Sequence, residues 1–127
     1  MKKVFALIAS ALLLAGCSSS SNAIDLSVTE FSAKVAEAGV ITLDVRTPSE
    51  FAEGFIEGAR LIDFQSGNFE NEIAALDKNA TYAVYCRSGN RSGQAVKTMQ
   101  DAGFTNVFNM NGGVIDWANA GFPLVKN

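Results

Sequence analysis

One short segment concentrates the reactive side chains of this sequence. Cys86-Arg87-Ser88-Gly89-Asn90-Arg91-Ser92, here called the Cys86 loop, carries a thiol, two guanidinium groups and a glycine, and no carboxylate occurs between Asp77 and Asp101. Backbone N–H groups of such a loop can form an anion cradle, and the positive end of a following helix adds to it. Because the cradle, the helix end and the arginines all favour a thiolate, they predict a Cys86 pKa below its ordinary value and therefore a nucleophile.

The composition narrows the chemistry that this thiol can do. The 127 residues include two cysteines and no histidine, and the formal net charge is −3. Without histidine there is no Ser-His-Asp triad and no Cys-His dyad, and two cysteines are too few for a structural zinc site. We therefore expect neither a metal nor a cofactor. The acidic balance also argues against a nucleic-acid partner.

The elements that must position the loop alternate between strands and helices. Short apolar runs predict strands at residues 24–26, 40–45, 59–63, 81–86 and 105–109. Helical stripes and capping boxes predict helices at residues 28–38, 48–53, 69–76, 95–102 and 114–119. This alternation predicts an α/β fold with three layers (α/β/α) and a mostly parallel five-stranded sheet. The Cys86 loop then lies at the carboxyl end of the fourth strand, where parallel sheets bind ligands.

The Cys86 loop resembles the active-site loop of the rhodanese family of sulfurtransferases. Three further segments are similar to the family's motifs in order and spacing: Leu43-Asp44-Val45-Arg46-Thr47-Pro48-Ser49-Glu50-Phe51, Gly54-Phe55-Ile56-Glu57-Gly58-Ala59 and Gly112-Gly113-Val114-Ile115-Asp116-Trp117. Together the matches cover about residues 23–124. The resemblance implies one rhodanese-like domain at residues 24–127.

The resemblance also implies a persulfide mechanism. The Cys86 thiolate would take the outer sulfur of a donor such as thiosulfate and pass it to a thiol or cyanide, with a thioredoxin-like protein among the acceptors that we expect. It further implies that the donor is bound by the rest of the loop: Arg87, Ser88, Gly89, Asn90, Arg91 and Ser92. In this assignment the main-chain N–H groups cradle the persulfide, and Arg87 and Arg91 hold the anionic part of the donor.

Three charged residues outside the loop are interpreted as structural support. We expect Arg46 to be tied to carboxylates such as Glu50, which would brace the turn, because a partly buried arginine needs partners. Asp44 could help to orient the loop. Phe55 and Glu57 stand where many family members have histidine and proline, and we expect them to change local packing without loss of activity.

Two alternatives of other kinds stay open. A related branch of the same fold hydrolyses phosphate esters or handles arsenate, but its loop has five residues between cysteine and arginine, whereas four separate Cys86 from Arg91. Some members of the family lack the cysteine and serve as binding modules. A non-catalytic persulfide carrier would keep Cys86, so its presence does not decide between carrier and enzyme.

The beginning of the chain predicts export and a lipid anchor. Lys2 and Lys3 precede an apolar stretch of about a dozen residues, which is typical of a secretory signal and too short to span a bilayer. Leu14-Ala15-Gly16-Cys17 resembles the lipobox of bacterial lipoproteins, which implies removal of residues 1–16 and acylation of Cys17. Residues 17–23 then form a lipidated, serine-rich tether. We expect an extracytoplasmic protein anchored in the cell envelope, at the outer membrane where the host has one and otherwise at the outer face of the plasma membrane.

Overall fold

The computed structural model describes residues 24–127, so the predicted signal peptide (1–16) and the Cys17 tether (17–23) lie outside the described residues. Its strands are β1 (Asp25–Leu26), β2 (Val40–Asp44), β3 (Arg60–Leu61), β4 (Thr81–Tyr85) and β5 (Asn106–Met110). Its helices are α1 (Val28–Val35), α2 (Pro48–Glu53), α3 (Phe69–Ile73), α4 (Asn90–Asp101) and α5 (Gly113–Asn119). None of the helices described between residues 24 and 127 has the length and apolarity to cross a membrane.

The strands form one sheet in the order β1-β5-β4-β2-β3, and every neighbouring pair is parallel. At the centre, Val84 of β4 is paired with Leu43 of β2 on one side and Asn109 of β5 on the other. Parallel neighbours need crossover connections, and the helices supply most of them. The predicted α/β fold with a five-stranded parallel sheet is therefore confirmed.

The two faces of the sheet pack against different helices. Along β4, Tyr82 and Val84 belong to a buried cluster that includes residues of α3 and α4, and Cys86 joins the same cluster. Tyr85 belongs to the opposite cluster, together with Phe31 of α1 and other side chains. Successive side chains of a strand point to opposite faces, so this division gives the three predicted layers. It also places Cys86 on the face that α4 covers.

The element boundaries differ from the predictions by a few residues. Helix α1 ends at Val35, before the predicted limit of 38, and Gly39 then adopts a φ of 84° at the turn into β2. Strand β5 extends to Met110, because Met110 is paired with Leu26 of β1. Such shifts reflect tertiary pairing, which local sequence patterns do not contain.

Both predicted capping boxes are confirmed. The Ser27 hydroxyl accepts a hydrogen bond from Glu30 N, and the Glu30 carboxylate accepts one from Ser27 N. Thr47 and Glu50 make the same reciprocal bonds at the start of α2, where proline occupies the first helical position. This second box fixes the position of Glu50, which matters for the site described below.

Candidate active site

Strand β4 delivers Cys86 to the carboxyl edge of the sheet, where the chain turns directly into α4. The turn depends on Gly89, the N-cap of α4, which adopts a φ of 104°. A Cβ on Gly89 would also lie 3.3 Å from Gly112 N and 3.4 Å from Met110 O. A left-handed conformation in such close quarters favours glycine. The resulting loop is tight, and it leaves only 1% of Cys86 exposed.

The thiol of Cys86 is surrounded by hydrogen-bond donors. Its Sγ accepts from Gly89 N at 3.1 Å, from Ser92 N at 3.3 Å and from the Ser92 hydroxyl at 3.3 Å. Burial by itself raises the pKa of Cys86, but donation from the Ser92 hydroxyl and from the N–H groups of Ser92, Gly89 and Ser88 lowers the pKa by more. The net direction is downward, as the loop composition predicts, so the site stabilises the thiolate more than an ordinary cysteine environment does.

Helix α5 holds the other side of the loop. Val114 N donates to Cys86 O at 3.0 Å, and Ile115 N donates to Arg87 O at 3.1 Å. A Cβ on Gly113 would lie 2.3 Å from that same Arg87 oxygen, so only glycine allows the first turn of α5 to come this close. The double glycine, which the sequence identified only by resemblance, thus has a physical function in supporting the loop.

Arg91 does not extend freely from the loop. Its two terminal nitrogens bind the two carboxylate oxygens of Glu50, at 2.8 and 2.9 Å. The hydrogen bond from Arg91 is the main cause that lowers the pKa of Glu50 to about 2. This bidentate pair joins the beginning of α2 to the first turn of α4. Arg91 was expected to hold the donor anion, but the structure assigns its guanidinium to Glu50.

Arg46 is tied to a carboxylate, as expected, but the choice of Glu50 as its partner is wrong. Arg46 binds Asp44 instead, with Nη2 2.6 Å from Oδ2, and it also donates to Gly54 O at 2.7 Å. Both side chains of the pair are buried, so each charge needs the other, and Asp44 is only two residues away. The hydrogen bonds of Asp44 go mainly to Arg46, so Asp44 braces the turn between β2 and α2.

Two aromatic residues complete this support. The Tyr85 hydroxyl accepts a hydrogen bond from Ile56 N at 3.0 Å, and burial raises the pKa of Tyr85. No role was predicted for Tyr85 from the sequence, although its position beside Cys86 on a buried strand was a signal. Phe55 is buried and stacks on Phe51 with ring centroids 4.1 Å apart, in accord with the expected packing role. Glu57 is exposed.

Arg87 is the positively charged side chain of the Cys86 loop that is accessible to an anion. Its side chain is exposed, and it takes part in none of the ion pairs found within residues 24–127. Ser88 and Asn90 are also exposed, and Asn90 Oδ1 accepts a hydrogen bond from Gln94.

Across the described part of the chain, no three metal-ligating side chains cluster together. Two surface grooves of about 300 and 360 Å³, lined by residues of α3, α4 and the segments next to them, include no residue of the Cys86 loop.

A buried polar contact behind the loop was missing from the sequence analysis. The Ser92 hydroxyl contacts Asn109 Oδ1, and Asn109 Nδ2 donates to Asp25 Oδ1 at 2.9 Å. Asp25 and Asn109 are 84 positions apart and meet because β1 pairs with β5 in that register. No local pattern could have indicated this contact.

Comparisons with known proteins agree with this architecture. The family model of the rhodanese-like domain matches residues 27–120. A protein of Allochromatium vinosum named sulfurtransferase is 36% identical over 86 residues, which cover 68% of this chain and 78% of that protein. A protein of Escherichia coli K12 named thiosulfate sulfurtransferase PspE is 37% identical over 84 residues, covering 66% of this chain and 77% of that protein.

Solved structures are similar over most of the described residues. A rhodanese-related protein of Thermoplasma volcanium superposes with a TM-score of 0.72 at 27% identity, covering 81% of this chain and 98% of that one. Some other curated relatives are longer, and the chain spans less than half of their length.

Proposed function

The chain belongs to the rhodanese-like domain family, and on that premise we propose that it is a sulfurtransferase whose Cys86 carries the transferred sulfur as a persulfide. The observation that carries the proposal is the environment of Cys86 Sγ, a buried sulfur that accepts three hydrogen bonds at the carboxyl end of the central strand. Such a site stabilises a thiolate without a general-base imidazole. The names of the relatives from Allochromatium vinosum and Escherichia coli support the same class of activity.

The proposed reaction has two half-reactions. In the first, the Cys86 thiolate attacks the outer sulfur of thiosulfate, a bond forms between Sγ and that sulfur, the sulfur–sulfur bond of thiosulfate breaks, and sulfite leaves with the electron pair. In the second, a thiolate or cyanide attacks the outer sulfur of the persulfide. The Cys86 thiolate is regenerated, and the acceptor departs as a persulfide or as thiocyanate. This is covalent, ping-pong catalysis.

In the proposed reaction, some loop residues stabilise or attract negative charge, and others hold the loop in position. The N–H groups of Gly89 and Ser92 and the Ser92 hydroxyl stabilise negative charge on Cys86. Arg87, exposed and outside the ion pairs of the described residues, attracts the anionic donor. Arg91 holds the first turn of α4 through Glu50, so its contribution is positional.

Mass spectrometry tests the proposal directly. The soluble fragment beginning after the tether is incubated with thiosulfate, and one added sulfur atom is expected on Cys86. The Cys86→Ser variant is the matched control, because it preserves the size of the side chain and removes the nucleophile. Absence of added sulfur on the wild-type fragment would contradict the proposal, and so would the same added mass on the Cys86→Ser variant.

A parallel assay separates the alternatives. Thiocyanate formation from thiosulfate and cyanide is measured beside the hydrolysis of an aryl phosphate and the reduction of arsenate. The commitment of Arg91 to Glu50 disfavours a phosphatase, which needs a free arginine for the phosphoryl oxygens. Phosphate release without thiocyanate would replace the proposed activity. Persulfide formation without turnover to cyanide, thiols or a thioredoxin-like protein would indicate a carrier.

We also propose that the domain is held at a membrane of the cell envelope through acylated Cys17. The support is the lipobox-like Leu14-Ala15-Gly16-Cys17 and the serine-rich segment after it. Labelled palmitate should be incorporated into the full-length protein and into Cys86→Ser, but not into Cys17→Ser. Label in the Cys17→Ser variant, or wild-type protein that stays in the aqueous fraction, would contradict the anchor. Separation of inner and outer membranes of a host with two membranes tests the expected location.

A further inference from the structure

The Ser92 hydroxyl faces two acceptors but has one hydrogen. Its oxygen lies 3.3 Å from Cys86 Sγ and is also in hydrogen-bond contact with Asn109 Oδ1. A hydroxyl can donate only once, so the hydrogen bonds either the sulfur or the amide oxygen at any moment. The oxygen can accept a hydrogen at the same time. Whether Cys86 is a thiol or a thiolate is therefore coupled to which of the two acceptors the Ser92 hydroxyl hydrogen bonds.

The orientation of the Asn109 amide is fixed from its other side. Asn109 Nδ2 lies 2.9 Å from Asp25 Oδ1. An ionised carboxylate only accepts hydrogen bonds, so the amide must present Nδ2 to Asp25 and Oδ1 to Ser92. The reversed amide would set two oxygens against each other. Asp25 is exposed, whereas Asn109 is 4% exposed, so a surface charge determines the polarity of a buried contact.

We infer that Asn109, with its amide fixed by Asp25, is a positioning residue that competes with Cys86 for the Ser92 hydroxyl hydrogen and so restrains the reactivity of the thiol. In the thiol state, the S–H group donates to Ser92 Oγ, and the Ser92 hydroxyl donates to Asn109. In the thiolate state, the hydroxyl hydrogen turns to Sγ and Asn109 loses its donor. The inference rests on the proposed role of Cys86 as the nucleophile.

Three variants test this competition by the pH dependence of Cys86 alkylation with iodoacetamide. Asn109→Leu removes the competing oxygen at similar size, and Asp25→Asn allows the Asn109 amide to take either orientation. Both variants should lower the midpoint of the alkylation profile, Asn109→Leu by about half to one pH unit, which is about threefold to tenfold in thiolate fraction. Ser92→Ala should raise the midpoint, because the hydroxyl donor is lost.

A double-mutant cycle supplies the decisive comparison. In the Ser92→Ala background, Asp25→Asn and Asn109→Leu should leave the midpoint unchanged, because the hydroxyl through which they act is absent. Asp116→Asn is the charge control, since Asp116 is an exposed carboxylate in the first turn of α5. Arg91, which attracts Cys86 electrostatically, and the neighbouring Arg87 are unchanged in every variant.

Each other outcome overturns the inference. An unshifted midpoint in Asp25→Asn and Asn109→Leu shows that no competition exists. A shift that persists without Ser92, or an equal shift in Asp116→Asn, assigns the effect to general electrostatics. Circular dichroism reports folding, and the exposed Asp25→Asn variant completes the cycle if Asn109→Leu does not fold. Alkylation needs only a thiol, so the result is independent of whether thiosulfate loads Cys86, which the mass measurement on the wild-type fragment decides separately.

Discussion

The pKa of Cys86 is subject to two opposing effects. Their balance explains how a chain without histidine can stabilise a thiolate. Burial raises the pKa of the thiol, whereas donors from Ser92, Gly89 and Ser88 lower the pKa further than burial raises it. All of these donors are within six residues of the sulfur, and apart from the Ser92 hydroxyl they belong to the backbone, so side-chain substitution cannot remove the backbone donors. The backbone part of the activation is thus a property of the loop conformation, and the Ser92 hydroxyl is the largest single cause that lowers the pKa of Cys86.

Arg87 is the residue at which donor binding can be altered without removing a hydrogen bond to Cys86 Sγ. Arg87→Gln should lower kcat/KM for thiosulfate by about tenfold or more, mainly through KM, because a charge-assisted contact with the anion is lost. The measurement is steady-state thiocyanate formation over a range of thiosulfate concentrations. Lys97→Gln removes an exposed positive charge elsewhere on α4 and should leave KM unchanged. Equal KM values in Arg87→Gln and the wild type would contradict this role.

Helices α2, α4 and α5 meet around the Cys86 loop, and each is fixed by a specific contact. The pair of Glu50 and Arg91 joins α2 to α4. The N–H groups at the start of α5 bind the carbonyl oxygens of Cys86 and Arg87, and Gly113 makes that approach possible. Because every contact lies at the first turn of its helix, the loop is held by helix ends.

Gly113→Ala tests the contact between α5 and the loop. The added Cβ would meet the Arg87 carbonyl, and the φ of 59° is already unfavourable for alanine. We expect a loss of about 3 kcal/mol or more in the free energy of unfolding, together with slower persulfide formation. Gly121→Ala is the matched control, since Gly121 has a φ of 90° but no atom within 4 Å of a new Cβ. It should cost about 1–2 kcal/mol by backbone strain alone.

Glu50→Gln tests the link between α2 and α4. The pKa of Glu50 is lowered to about 2, so the ionised carboxylate stabilises the fold above its unfolded value of about 4.5, and that contribution is lost as pH falls from about 4.5 toward 2. We expect Glu50→Gln to cost about 1–2 kcal/mol at pH 7 after allowance for solvent screening. The difference from wild type should narrow at pH 3, as measured by urea denaturation.

Glu30→Gln is the control for this link. Glu30 closes the other capping box, at the start of α1, and has no arginine partner among its hydrogen bonds. It therefore separates the cost of weakening a capping box from the cost of losing the ion pair. Equal losses of stability in Glu30→Gln and Glu50→Gln at pH 7 would show that the bond to Arg91 contributes nothing.

For the molecule as a whole, the absence of histidine simplifies the expected response to pH. The rate of the first half-reaction should rise once, as Cys86 ionises, with a midpoint below the ordinary thiol value of 9.0. No second titration from an imidazole should appear between about pH 5 and 8, because the sequence contains no histidine. Single-turnover persulfide formation across this range measures the profile. A bell-shaped curve would show that another ionisable group takes part.

The sequence predicted the parts of the molecule whose cause is local. The Cys86 loop, both capping boxes and the parallel sheet follow from residue types and their spacing along the chain. Two pairings could not be predicted from the sequence because they depend on the strand order. Glu50 pairs with Arg91 across 41 positions, and Asp25 pairs with Asn109 across 84. The pairing of Arg46 with Asp44 was local, but choosing between two nearby carboxylates required knowing which one is buried.

The nearly complete burial of Cys86 has a consequence for the shape of its reaction partners. A sulfur–sulfur bond is about 2 Å long, so in the proposed persulfide the sulfur to be transferred lies about 2 Å from Sγ, on the side from which the donor approached. A donor must bring its sulfur down to the recessed Sγ, which demands a slender molecule. An acceptor needs to reach only the outer sulfur, so it does not have to enter the site as deeply as the donor. The depth of the nucleophile would therefore admit small donors while leaving room for acceptors as large as another protein.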